Sequence, residues 1–402
     1  MRGCSGPPSA SERNPAVTTP VHLRRCLAAA ALALLVAGCT VGGGGSGHDS
    51  SGQSQPDGVE ADRSRFSVVA TGDVLIHPPL IDQARRDGSA RSPDFEPMLA
   101  AIKPVISAAD LAICHIEAPF APARGPFEGF PTFSMPPQVV SALAAIGYDE
   151  CSTASNHSMD QGSRGLTRTL AALDADHIGH AGTAATPAAA SRPQILDVHG
   201  IHVGHLSYTY GLNGGTPPPD GTWMVNVIDD LRAILSAAHE LRRRGADVVI
   251  LSLHWGVEYH HIPTSKQRAI ANQLLASPDI DLIIGHHAHV VQPFERIRGK
   301  WVVYGLGNMI ARHQRPRGVS EEGIIARFTF DKADGHWRVR AAEWVPTLVD
   351  LGPPIRLVEL PQALQKQDLD PAKQARYQAA VARTRAIVES RGAASDGLSM
   401  GG

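Results

Sequence analysis

Leu282-Ile283-Ile284-Gly285-His286-His287-Ala288-His289 couples a short apolar run to three histidines in four residues. Such a run suits a strand buried on both faces. Neutral imidazoles at its end are donors for zinc, iron and manganese, and two of them one residue apart on a turn can reach two neighbouring ions. Taken alone, the cluster fits a solvated loop as well.

The same order, apolar run and then polar residue, recurs along the chain. Phe66-Ser67-Val68-Val69-Ala70 leads into Thr71-Gly72-Asp73, which predicts a strand followed by a turn carrying a carboxylate. Residues 111–117, 148–157, 248–255 and 301–308 repeat the pattern, each run ending in or next to His, Glu or Asn. Helical stretches at residues 137–146, 165–173, 231–244 and 264–276 lie between them. Alternation of this kind predicts an α/β domain with a largely parallel sheet under helices, and in such sheets ligands gather beyond the carboxyl ends of the strands. Later, residues 323–330 and 336–344 alternate around Asp334-Gly335 as a hairpin that Val345-Pro346 would end. Residues 371–390 predict a helix, and residues 392–402 a disordered tail.

The chain has 402 residues and a formal net charge of -2, with no basic stripe, which excludes nucleic acid as a partner. At the N-terminus Arg24-Arg25 precede an apolar run at residues 27–36 that meets Val36-Ala37-Gly38-Cys39. That reads as a secretory signal over residues 1–38, whose apolar run is too short to span a bilayer easily. Its last four residues resemble the bacterial lipobox, which implies diacylation of Cys39, a membrane anchor and an extracytoplasmic location. The aperiodic first twenty residues suggest that translation starts near Val17 or Val21. Residues 39–64, rich in Gly, Ser, Asp and Gln, predict a disordered tether. The main domain is expected at residues 65–350 and a C-terminal extension at residues 351–402. Of the five cysteines, Cys4 and Cys26 fall with the signal and Cys39 takes lipid. Cys114 and Cys151 end apolar runs and can pair, but two buried thiols is the preferred reading.

Candidate site residues follow from the strand ends. His254 ends one run; Ser155-Asn156-His157 ends another, where the Asn oxygen can ligate a cation and the His can donate a proton, or Ser155 or Asn156 can simply cap a helix. Asp73 and Glu117 bring the negative charge that a two-metal centre needs, though each could be a turn or cap residue. His287 and His289 complete the set.

In order, the set is a carboxylate, a carboxylate, Asn-His, His and His-x-His, each after its own strand. This order resembles the calcineurin-like metallophosphatases, and within them the CapA group associated with poly-γ-glutamate capsule synthesis. The likeness rests on Gly72-Asp73-Val74, Ser155-Asn156-His157 with Asp160 and Gly162, His254-Trp255-Gly256-Val257-Glu258-Tyr259 with Pro263 and Gln267, Gly285 to His289 with Gln292-Pro293, and Tyr304-Gly305-Leu306-Gly307-Asn308. It implies a sandwich of two mixed β-sheets flanked by helices. It also implies two divalent ions (manganese, zinc or iron) on Asp73, Glu117, Asn156, His254, His287 and His289, with His157 as proton donor and His254 helping to set ligand geometry. The chain departs from the group at His115-Ile116-Glu117, where Asn-Leu-Glu is usual, so His115 either binds metal or alters which metal is preferred. Like the rest of the group it has Leu75 where ordinary metallophosphatases carry a histidine, and His77 is expected outside the ligand set.

The implied function is a lipid-anchored metal-dependent hydrolase of an anionic envelope polymer, or of a phosphoester, working with capsule-synthesis membrane proteins. The alternative is a non-catalytic envelope protein that binds or exports such a polymer. A zinc amidohydrolase barrel is disfavoured, because there the His-x-His follows an early strand.

Overall fold

Burial alternates along the strand Arg65–Leu75: Phe66, Val68 and Ala70 enter one core and Val69 another. In Leu111–Ile116, Leu111 and Ile113 part in the same way from Ala112, Cys114 and Ile116. In Val248–His254, Val248 and Ile250 part from Val249, Leu251 and Leu253. Because successive side chains leave a strand on opposite faces, these strands are buried on both sides. Two sheets therefore face each other across a shared core, and each covers its far face with helices. The computed structural model describes residues 64–213, 215–313 and 317–402, with a two-residue strand at Thr19–Pro20.

The first sheet runs Thr19–Pro20, Ile195–Val198, Ile201–Thr209, Val248–His254, Leu282–His286, Lys300–Val303, Phe294–Ile297. The second runs Arg356–Glu359, His336–Asp350, Glu322–Ala333, Arg65–Leu75, Leu111–Ile116, Glu150–Ser152, Gly179–Ala181, with Asn308–Ala311 also beside Arg65–Leu75 and Leu398–Met400 beside His336–Asp350. Both are mixed, with parallel centres and antiparallel flanks. Pro78–Asp87 and Gln138–Ile146 cover the second sheet, burying Leu80, Ala84, Val139 and Leu143. Leu231–Arg243 and Ser265–Leu274 cover the first through Ile234, Leu241 and Leu274, the latter helix opening on a capping box between Thr264 and Gln267. The α/β sandwich of two mixed sheets flanked by helices is thus present. Among the described residues no helix is long and apolar enough to cross a membrane.

The space between the sheets is graded. Rows that begin apolar end polar: Leu111 and Ile113 lead to His115, Val248 and Ile250 to Ser252 and His254, Leu282 and Ile284 to His286. Strand parity alone aims these polar groups into the shared interior.

Several expectations need correction. The segment Thr71-Gly72-Asp73 is not a turn, since the strand continues to Leu75. Its register against Leu111–Ile116 shifts between Ala70 and Asp73. This bulge carries Asp73 to the inner face, where strict alternation would have put it with Val69. Gly72 permits the contact that supports it: a Cβ there would lie 1.9 Å from the Gly307 carbonyl, to which Asp73 N–H donates at 3.0 Å. The hairpin strand does not stop at Val345-Pro346 but reaches Asp350. Pro346 falls between the stretches paired by Leu398–Met400 and by Arg356–Glu359, where that edge has no strand partner to miss an N–H. Residues 392–402 are not disordered: Ala393 and Leu398 enter the shared core and Leu398–Met400 adds a parallel strand. Cys114 and Cys151 are not free thiols but a disulfide, because the two residues are direct partners across neighbouring strands. Apart from Thr19–Pro20, the signal, Cys39 and nearly all of the tether lie outside the described residues.

Candidate metal centre

The polar end of the shared interior collects side chains from both sheets. Asp73, His115 and Glu117 come from the second sheet and His254 and His286 from the first; Asn156 and His157 come from the turn after Glu150–Ser152, and His287 and His289 from the turn after Leu282–His286. None of the nine is more than 5% exposed. His287 and His289 hold φ of 87° and 54°, a conformation that costs non-glycine residues energy and is kept here where it aims two imidazoles inward. The Ser155 hydroxyl donates to the Glu117 carbonyl and accepts from His157 N–H at 3.0 Å, tying the Asn-His turn to the Glu117 strand end.

Three groups of donors emerge, each with its ligand atoms within 4.8 Å of one another: Asp73, Glu117 and His289; Glu117, His254 and His287; Asp73, His115 and His286. His254 Nε2 lies 2.8 Å from Asn156 Oδ1, which adds the amide to the second group. On its other side His254 Nδ1 meets His115 Nε2 at 2.9 Å, and His115 Nδ1 meets the Ser152 hydroxyl at 2.7 Å. His289 Nδ1 donates to Asn308 Oδ1 at 2.9 Å and lies 3.2 Å from Asp73, leaving Nε2 toward Glu117 at 3.4 Å. An imidazole fixed by a polar partner at one nitrogen, with the other turned to a carboxylate-lined space, is the usual arrangement of a metal ligand.

The electrostatics suit a cation. Burial works against charge on Asp73, but the imidazoles of His286 and His289 outweigh it and hold the carboxyl well below its ordinary range. Burial raises Glu117 to about 8. His289 is also buried, yet Glu117 and Asp73 push it up to about 10. Burial, then the neighbouring imidazoles, keep His115 and His254 neutral and lower His287 to about 3. Both carboxylate oxygens of Glu117, Asn156 Nδ2 and His287 Nδ1 are buried with no hydrogen-bond partner. Unpaired buried polar atoms are expensive. Their convergence in a carboxylate, amide and imidazole donor set fits divalent cations of the zinc, iron or manganese type.

All seven residues singled out for metal or proton transfer, Asp73, Glu117, Asn156, His157, His254, His287 and His289, are brought together. His77 is not, being held by the Leu75 carbonyl at 3.0 Å, and His261 turns to the Val291 carbonyl at 2.8 Å. Sequence reasoning passed over His286, whose parity with Leu282 and Ile284 was the available signal. It gave no role to Asp160, 2.7 Å from His157 Nδ1, or to Asn308. It also missed Tyr210, just past Ile201–Thr209, whose half-exposed ring stands 4.7 Å from that of His287 at the mouth.

A family model described as bacterial capsule synthesis protein PGA_cap matches residues 67–313. Capsule biosynthesis protein CapA of Bacillus anthracis is 28% identical over 176 residues, which are 43% of this chain and 42% of that protein. A "probable polyglutamine synthesis accessory protein" of Mycobacterium tuberculosis is 31% identical over 194 residues, 44% of this chain and 49% of that one. The chain therefore spans less than half the length of these relatives. The crystal structure of the calcineurin-like phosphoesterase YfkN from Bacillus subtilis superposes with a TM-score of 0.44 at 17% identity, covering 80% of this chain and 99% of that one.

Proposed function

This chain belongs to the bacterial capsule synthesis protein family PGA_cap, and on that premise we propose that it is a metal-dependent hydrolase acting on an anionic cell-envelope polymer such as poly-γ-glutamate. The observation that carries the proposal is the meeting of Asp73, Glu117, Asn156, His254, His287 and His289, from both sheets, in buried donor groups that share Glu117. Two divalent ions held by these residues would activate water and stabilise charge developing on a carbonyl or phosphoryl oxygen.

The chain's own residues supply the rest. Burial would lower the pKa of His157, but its hydrogen bond to Asp160 at 2.7 Å wins and raises it. That bond favours the protonated form, and because Asp160 occupies Nδ1, Nε2 is left to give a proton to the leaving nitrogen or oxygen. Ser152 fixes His115 and His115 fixes His254, so that the His254 ring presents Nε2 beside Asn156. Tyr210 borders the mouth next to His287, where a substrate must pass. The resemblance of Val36-Ala37-Gly38-Cys39 to a lipobox supports anchoring outside the cytoplasmic membrane, where capsule-synthesis membrane proteins would be its partners.

The test is turnover of a γ-glutamyl oligomer, with a chromogenic phosphodiester as comparator, in added Mn²⁺ or Zn²⁺. Activity on the oligomer that disappears in Asp73→Ala and His287→Ala is expected. Turnover of the phosphodiester alone would reassign the substrate. Bound metal with no turnover of either would favour a polymer-binding protein, and failure to take up metal at all would end the proposal.

A further inference from the structure

Of the three donor groups, two share Glu117 and account for the pair of ions just described. The third, Asp73 with His115 and His286, lies earlier along its strands: His115 precedes Glu117 and His286 is the last residue of Leu282–His286. His286 is left unexplained by that pair. Its imidazole is 1% exposed, yet neither Nδ1 nor Nε2 has a hydrogen-bond partner. The 3.4 Å approach of Nδ1 to Asp73 Oδ1 is an ion-pair distance without hydrogen-bond geometry. A buried imidazole left in this state is costly, and no step of the proposed reaction uses it.

His115 lies against it, the two rings stacked at 4.1 Å and 15°, and one ligand atom from each imidazole lies within 4.8 Å of an Asp73 carboxylate oxygen. Ser152 at His115 Nδ1 orients that ring, and Nε2, 2.9 Å from His254 Nδ1, is the nitrogen that would turn to the ion, so that His115 braces His254 only while this third position is empty. Two imidazoles and a carboxylate form a donor set that holds zinc or iron with coordination positions to spare.

We propose that Asp73, His115 and His286 bind a divalent cation of their own, adjoining the dinuclear pair through the shared Asp73 carboxylate. This inference rests on the metal-centre reading above and extends it from two positions to three.

The test counts ions. The purified full chain is stripped with chelator, reloaded with Co²⁺ and dialysed; bound cobalt is measured by elemental analysis and its environment by visible absorption. Three Co²⁺ per wild-type chain are expected, and two in His286→Ala and in His115→Asn, with the corresponding absorption band lost. The conservative His286→Gln should also hold two, and circular dichroism checks that each variant is folded. Two ions per wild-type chain, or three retained in both His286→Ala and His115→Asn, would overturn the proposal. Where a variant fails to fold, anomalous scattering from Zn²⁺-loaded wild-type crystals decides it by a peak, or none, among Asp73, His115 and His286. Two ions that are insensitive to His286→Ala but reduced in His287→Ala would leave the dinuclear reading intact and remove only this inference. A chain that binds no cobalt removes both.

Discussion

Cation binding at the centre should be a competition with a proton on His289. Nδ1 of this residue lies 3.2 Å from Asp73 and Nε2 3.4 Å from Glu117. Burial opposes the charged ring, but the two carboxylates prevail and push it up to about 10. A histidine raised in this way is fully protonated at neutral pH, and its stabilising ion pairs are lost only as pH rises through about 10. An incoming cation must displace that proton first. At pH 7 the displacement spans about three pKa units, or roughly 4 kcal/mol, which weakens apparent affinity on the order of a thousandfold relative to a deprotonated site. Log K should therefore climb by at least one unit per pH unit from roughly pH 6 to 8. Glu117, raised by burial to about 8, makes the slope steeper where it too is protonated. Titration calorimetry in buffers of different ionisation enthalpy measures the release directly, and at least one proton per chain is expected at pH 7. In His289→Gln the slope should drop by one and the affinity should fall through loss of the ligand. A binding enthalpy independent of buffer, with K flat across this range, would refute the assignment of His289 as a proton-bearing ligand.

Asp160→Asn should leave bound metal unchanged while lowering kcat by roughly 10- to 100-fold and moving the pH profile, since general acid catalysis is worth about 10²–10⁴-fold and His157 loses the partner that keeps it protonated. Glu150→Ala leaves His205 Nδ1 and Gln194 Nε2, each 2.9 Å from the carboxylate, without an acceptor between the sheets; roughly 2–5 kcal/mol of stability should go, and an unchanged melting temperature would show the clasp to be idle. Leu398→Ala should cost about 2–3 kcal/mol in denaturant unfolding, an effect absent if the C-terminal strand does not enter the shared core. Cys114 and Cys151 should resist thiol labelling in the denatured chain until a reductant is added.

What the sequence made legible was whatever depends on local periodicity. Apolar runs located the central strands, and the polar residues at their ends pointed to the chamber, because strand parity is a property of neighbouring residues. His115 and His286 were on the same footing: each continues a row, Leu111 and Ile113 in one case and Leu282 and Ile284 in the other, that enters the shared core. What stayed hidden depends on pairing between distant segments. The bulge that turns Asp73 inward is set against Leu111–Ile116 and braced by Gly307. The bridge between Cys114 and Cys151 needs the register of two parallel strands. The final strand among glycines becomes one only through its partner at Ala342 to Trp344. Pro346 looked like a stop because nothing local says which edge of a strand will be unpaired.

The balance of charge also argues for the kind of substrate. Asp73 and Glu117 are the carboxylates in the donor groups, and the remaining donors are imidazoles and an amide, which favours borderline cations over Mg²⁺ or Ca²⁺. Two carboxylates would not neutralise even two dications, so a loaded centre would stay positive among buried side chains, where such charge is felt strongly. Nearby, the Arg317 guanidinium lies 3.8 Å over the Tyr259 ring, which itself stands 5.9 Å from His289, while Glu258 acts on His289 with the opposite sign. A neutral substrate would leave this field uncompensated. The polyanion proposed above as substrate would complete it with a carboxylate at every residue that enters, which would both draw it to the site and hold it there in register.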